Sequence, residues 1–156
     1  MVIPGASRPL GMPSATNSSN PPTMLYTILC YNSEKMVTSW TKEEDEAVMT
    51  KLLAVQEKVA KRGKLGPVAR LGPTTTARTL RKDREPFLLT DGPYAETKEQ
   101  ILGFYVVDFD TPDDAMEFTR ELGIANPGGA FEVRPLIYFE ANSNLPGSEV
   151  MRSVSA

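Results

Sequence analysis

Two carboxylates and an ammonium, Asp91, Glu96 and Lys98, fall close together in the segment Asp91-Gly-Pro-Tyr-Ala-Glu-Thr-Lys98. Asp91 can bond forward to its own backbone, Gly92 permits a positive φ, and Pro93 fixes φ and removes a donor. Such a turn can bring the three charges together at the mouth of a cleft. Two adjacent carboxylates share a proton, which raises one pKa toward the range of a general acid or base, and a nearby lysine opposes that rise. Tyr94, inside the same turn, would serve as an acid or a stacking wall. The plainer reading has Asp91 and Glu96 capping the turn and Lys98 in water.

A second polar set lies near the end of the chain. Phe131, Val133 and Pro135 alternate with Glu132, Arg134 and Leu136, the period of a strand. If the first set faces the helices, Glu132 and Arg134 point to the opposite side, into a cleft shared with a second copy of the chain. There they either satisfy one another and fix the register of a dimer, or meet a ligand with Arg134 as an anion clamp. Tyr105 and Asp108 are further candidates for that cleft, and because their pleat faces differ, at most one lines it directly. Trp40, just ahead of a helix, packs either as a staple on the first turn or as an aromatic pocket wall; the staple is the simpler reading.

What is missing narrows the chemistry. The chain has no histidine, which removes the usual general base, Ser–His and Cys–His arrangements, and the commonest zinc ligand. It has no glycine-rich phosphate loop or dinucleotide fingerprint, so neither a cofactor nor a metal is expected. The lone Cys30 excludes an intrachain disulfide, in keeping with a reducing cytoplasm, and reads as an inert strand thiol. A net charge of −3 argues against direct nucleic-acid binding. No apolar run approaches membrane-spanning length and no cationic start leads into an apolar signal core, so secretion is not expected.

These groups must be positioned by the elements around them. Residues 1–23 carry Pro4, Pro9, Pro13, Pro21 and Pro22 with Arg8 as the only charge, and read as a flexible tail. Met24–Tyr31 is a strand, followed by a loop to Trp40. Thr41-Lys-Glu-Glu44 is a capping box that opens a helix with Val48, Leu52, Val55 and Val59 on one face and Gly63 at its end. Leu65–Leu71 is an edge strand broken at Gly66-Pro67, and Pro73–Leu80 and Phe87–Thr90 form a hairpin. Ile101–Phe109 is a core strand. Thr111 caps a second helix with Pro112 at its first position, its stripe being Ala115, Phe118, Thr119 and Leu122 and its stop Gly123. Ala130–Phe139 closes the sheet, and residues 140–156 are a loose tail.

This order predicts a ferredoxin-like α+β sandwich with an inserted hairpin. Two helices cover only one face of the sheet, yet Met24–Tyr31 and Ile101–Phe109 are apolar at successive positions. A second copy of the chain, packed sheet to sheet, would cover the other face and make a homodimer.

Asp91-Gly-Pro-Tyr-Ala-Glu-Thr-Lys-Glu-Gln100 resembles the D-G-P-F-A-E-T-K-E signature of the DGPF branch of the YCII-related proteins, with Tyr94 in place of Phe. Gly103-Phe-Tyr after it and Phe131-Glu-Val-Arg-Pro135 near the end fit the same pattern, and the likeness runs from about Met24 to Phe139, one domain over residues 24–139. It implies a dimeric α+β barrel with a cleft for a small molecule. The broader group includes a dehydrochlorinating lyase and members assigned a His–Asp pair; here the histidine has no counterpart, though Asp91 could be an analogue of the aspartate. Two functions follow. One is a cofactor-free lyase or isomerase acting on a cyclic or aromatic metabolite, with Asp91 or Glu96 as base. The other is a ligand-sensing regulator, since DGPF proteins are often encoded beside extracytoplasmic-function sigma factors.

Overall fold

The computed structural model describes residues 24–140, so the two tails predicted at 1–23 and, beyond Glu140, at 141–156 lie outside it. Strand β1 (Met24–Asn32) is followed by a single helical turn α1 (Glu34–Val37) and the long helix α2 (Lys42–Lys61). Next come β2 (Leu65–Arg70), a 3-10 turn (Thr74–Thr76), and the strands β3 (Arg78–Arg81) and β4 (Leu88–Asp91). Strand β5 (Gln100–Phe109), helix α3 (Pro112–Ala125) and β6 (Ala130–Pro135) complete the order. The main sheet runs β2-β5-β1-β6 with every neighbouring pair antiparallel, while β3 and β4 form a separate hairpin. This is a ferredoxin-like α+β fold with an inserted hairpin.

Both long helices start where local chemistry dictates. Thr41 accepts from the Glu44 amide at 3.2 Å while the Glu44 carboxylate takes the Thr41 amide at 2.8 Å, two otherwise orphaned donors satisfied together. Thr111 accepts from the Asp114 amide at 3.2 Å, with Pro112 occupying a position that needs no donor. Leu52 and Val59 of α2 and Ala115, Phe118 and Leu122 of α3 are buried against Tyr26 and Ile28 of β1 and Tyr105, Val107 and Phe109 of β5. Phe118 meets Tyr105 edge-on at 6.3 Å and Phe109 at 5.8 Å.

Four local expectations are corrected. The segment after Asn32 is not all loop: the Ser33 side chain accepts from the Met36 amide and starts a helical turn. Pro73–Ala77 is not strand, because Thr74 and Thr76 spend their hydroxyls on Glu34 and on the Pro73 carbonyl. Gly123 does not stop α3, which continues until Ala125 is buried and Asn126 caps it. Strand β6 ends at Pro135, which has no amide to continue the ladder, although the Leu136 amide still reaches the Leu25 carbonyl at 2.8 Å.

The pleat sorts the sheet into two faces. Tyr26 and Ile28 pair with Val107 and Tyr105 and face the helices. Leu25, Thr27 and Leu29 therefore face away, beside Asp108, Val106 and Phe104 on β5 and Glu132 and Arg134 on β6. Neither α2 nor α3 lies on that second face, since both pack on the other side of the sheet. Among the described residues, no helix is long and apolar enough to cross a membrane.

Candidate functional site

The signature turn closes the hairpin. The Gly92 amide donates to the Ala77 carbonyl at 2.8 Å, the Thr79 hydroxyl donates to the Gly92 carbonyl at 2.8 Å, and Gly92 takes φ +100°. Asp91 pairs with Arg78 at 3.4 Å across the two strands, its side chain 92% exposed. Tyr94 is also exposed, with the Arg81 guanidinium 5.3 Å from its ring centroid. Glu96 and Lys98 are exposed, and neither bonds to Asp91. Within one chain the structure therefore does not bring Asp91, Glu96 and Lys98 into a single cluster. Asp91 instead meets Arg78, and Tyr94 meets Arg81, both from the hairpin.

On the uncovered face, Glu132 and Arg134 pair at 2.8 Å, both partly exposed, while Phe131 and Val133 pack on the core side as the alternation required. Asp108 shares that face, 3.8 Å from Lys64, and its Oδ1 is buried without a partner. Tyr105 takes the other side. It faces the helices, and is thus separated by the sheet from the Glu132–Arg134 pair.

Tyr105 borders a cavity of about 130 Å³ between α2 and the sheet, open to solvent on one side. Val48, Met49 and Leu52 of α2, Val68 of β2 and Phe131 of β6 make its apolar wall. Trp40 and Val37 complete it at the end of the α1 segment. The local sequence explains why Trp40 is a wall rather than a staple: the position it would clamp, four residues past Thr41, is the polar Asp45. The α1 segment is tied down by Glu34. Its carboxylate accepts from the Thr74 amide and hydroxyl, both at 2.6 Å, and its backbone amide donates to Gln100 Oε1 at 3.0 Å.

The polar groups around this cavity are few and mostly uncharged. Gln56 Nε2 donates to the Tyr105 hydroxyl oxygen at 3.2 Å, which leaves the phenolic proton free to donate elsewhere. Cys30 lies on the floor, and Asn32 is held by the Ser33 amide and the Pro127 carbonyl. Asn126 Oδ1 is buried with no donor. The charged pair on the lining, Asp45 and Arg70, is joined at 3.3 Å on the solvent side.

Burial sets the protonation of the inner groups. It pushes the Cys30 thiol up to about 12. Tyr105 is also pushed up to about 12, chiefly by burial, with repulsion from the Cys30 thiolate adding to the rise and the Gln56 hydrogen bond opposing it. At neutral pH the cavity therefore offers neither a thiolate nor a phenolate. Among the described residues, no group of three or more histidine, cysteine, aspartate or glutamate side chains is placed to hold a metal ion. Reasoning from sequence did not anticipate Gln56, Asn126, Asp45 and Arg70. The one available signal was Gln56 on the inner side of α2, one residue after a stripe position, where a polar side chain needs a partner.

A family model described as the YCII-related domain matches residues 24–140. The chain is also 55% identical over 118 residues to an uncharacterized protein of Rhizobium meliloti (strain 1021), covering 75% of this chain and 95% of that relative.

Proposed function

Since the chain belongs to the YCII-related family, we propose that it binds a small cyclic metabolite in the cavity between α2 and the sheet. The observation that carries this reading is the cavity: an apolar wall with a few convergent polar groups is how small-molecule sites are built. Its size suits one ring, since a cavity of about 150 Å³ takes a benzene-sized molecule. Ligand sensing fits it better than acid–base catalysis. The inner Cys30 and Tyr105 hold their protons, and the lining carboxylate, Asp45, is already paired with Arg70. A lyase or isomerase reading would rest on that same pair, Asp45 as base and Arg70 as anion clamp.

The same reading makes the protein a sheet-to-sheet homodimer. Leu25, Leu29 and Phe104 stand on a face that no helix covers among the described residues, and Leu80 and Leu89, paired across the hairpin, are both exposed. The Glu132–Arg134 pair would then lie where two copies meet. Asp91, Tyr94, Glu96 and Lys98 take part in the chemistry only if a partner covers them, because in one chain they stand in solvent.

Trp40 is the single tryptophan and lines the cavity, so its emission reports occupancy. Titration with cyclohexanol is expected to shift that emission saturably. Val48→Phe, which fills the cavity, should abolish the shift while the protein stays folded by circular dichroism. A saturable shift of equal size in Val48→Phe would place the ligand elsewhere and refute the reading. Asp45→Asn separates sensing from catalysis: binding kept with no turnover to lose supports the first.

A further inference from the structure

We infer that the cavity selects ligands whose buried part is uncharged and carries a hydrogen-bond acceptor, with Tyr105 as the residue that reads it. This inference rests on the cavity being the binding site and adds which chemistry it accepts. Tyr105 presents a donor, because its oxygen already receives Gln56 Nε2 and its proton has no other partner. A buried polar atom left unmatched is costly, so a ligand group that satisfies it gains more than the same bond would in water.

Charge is excluded by the rest of the lining. Cys30, Gln56 and Asn32 are neutral neighbours on the lining, and Asp45 and Arg70 neutralise each other at 3.3 Å on the solvent side. A carboxylate or ammonium carried inside would lose its water without gaining a counter-charge, a penalty of several kcal/mol for a buried ion. A neutral ring loses nothing comparable and gains from the apolar wall of Val48, Met49 and Leu52.

Four monosubstituted benzenes test this by calorimetric titration of the full-length protein: phenol, anisole, toluene and benzoate. Phenol and anisole, whose oxygens accept, are each expected to bind about 2- to 10-fold more tightly than toluene, the span of one neutral hydrogen bond. Benzoate should bind least. Tyr105→Phe should erase the advantage of anisole over toluene. Benzoate binding as tightly as phenol, or Tyr105→Phe leaving the order untouched, overturns the inference while the cavity remains a binding site. If none of the four binds, or if Val48→Phe weakens none of them, the binding reading itself fails and takes the inference with it.

Discussion

Replacing Glu34 by glutamine should loosen the wall of the cavity without unfolding the protein. The Glu34 carboxylate takes both the amide and the hydroxyl of Thr74 at 2.6 Å, and no other side chain joins α1 to the 3-10 turn among the described residues. Hydrogen bonds to a charged acceptor contribute about 1.5–3 kcal/mol and neutral ones about 0.5–1.5. Glutamine keeps one carbonyl oxygen for the Thr74 amide and can turn its NH₂ toward the hydroxyl oxygen, so the loss is the charge assistance, about 1–2 kcal/mol. Alanine loses both bonds and should cost about 3 kcal/mol. The effect is local, because the amide of residue 34 still donates to Gln100 Oε1. Native-state hydrogen exchange reads it directly: a loss of about 1.4 kcal/mol speeds exchange of the Thr74 amide about tenfold. The Trp40 emission should shift red in the same variant, since Trp40 follows the released segment. Identical exchange of the Thr74 amide in wild type and Glu34→Ala would show that the bond does not hold in solution, and the latch would have to be abandoned.

Three other outcomes are expected. Stability should fall as pH rises from about 9 toward about 12. Cys30 and Tyr105 hold their protons up to about 12 when folded, against ordinary values of 9.0 and 10.0, so the unfolded chain releases protons first. Each group contributes a slope of up to about 1.4 kcal/mol per pH unit. Below pH 9 its contribution is complete, and urea unfolding of Tyr105→Phe should show a shallower alkaline decline; an unchanged slope would contradict the burial argument. Gly103→Ala should cost about 1–3 kcal/mol or more, because its Cβ would strike the Ala69 carbonyl across the β2–β5 ladder; a chemical melt with an unchanged midpoint would contradict that contact. Sedimentation at micromolar concentration should give a dimer, and Leu29→Lys, which puts a charge on the uncovered face, should dissociate it; a wild-type monomer would remove the sheet-to-sheet proposal.

Much of the framework was legible because it rests on short-range chemistry. The capping box at Thr41, the cap and proline at Thr111-Pro112, and the alternation of Phe131 and Val133 with Glu132 and Arg134 each depend on neighbours a few residues away. Element order then leads to the ferredoxin-like sheet, since two helices and four strands in that sequence have few compact arrangements. Local signals misled where a distant partner outweighed them. Gly123 sits inside α3 because Ala125 still has core to bury, and Thr74 leaves the strand because Glu34, far back in sequence, takes its hydroxyl. The same holds for Asp91, whose spacing to Glu96 and Lys98 suggested a cluster. Strand pairing sets it beside Arg78 instead. The cavity was beyond sequence altogether. Periodicity tells which side of α2 is apolar, but a gap between α2 and the sheet arises from how far apart their backbones stand. That spacing is set jointly by Phe118 and Leu52 packing on β1 and β5, and by Glu34 holding Trp40 and Val37 over the end. Tyr105, Gln56 and Asn126 meet there only because the chain has folded around the space between them.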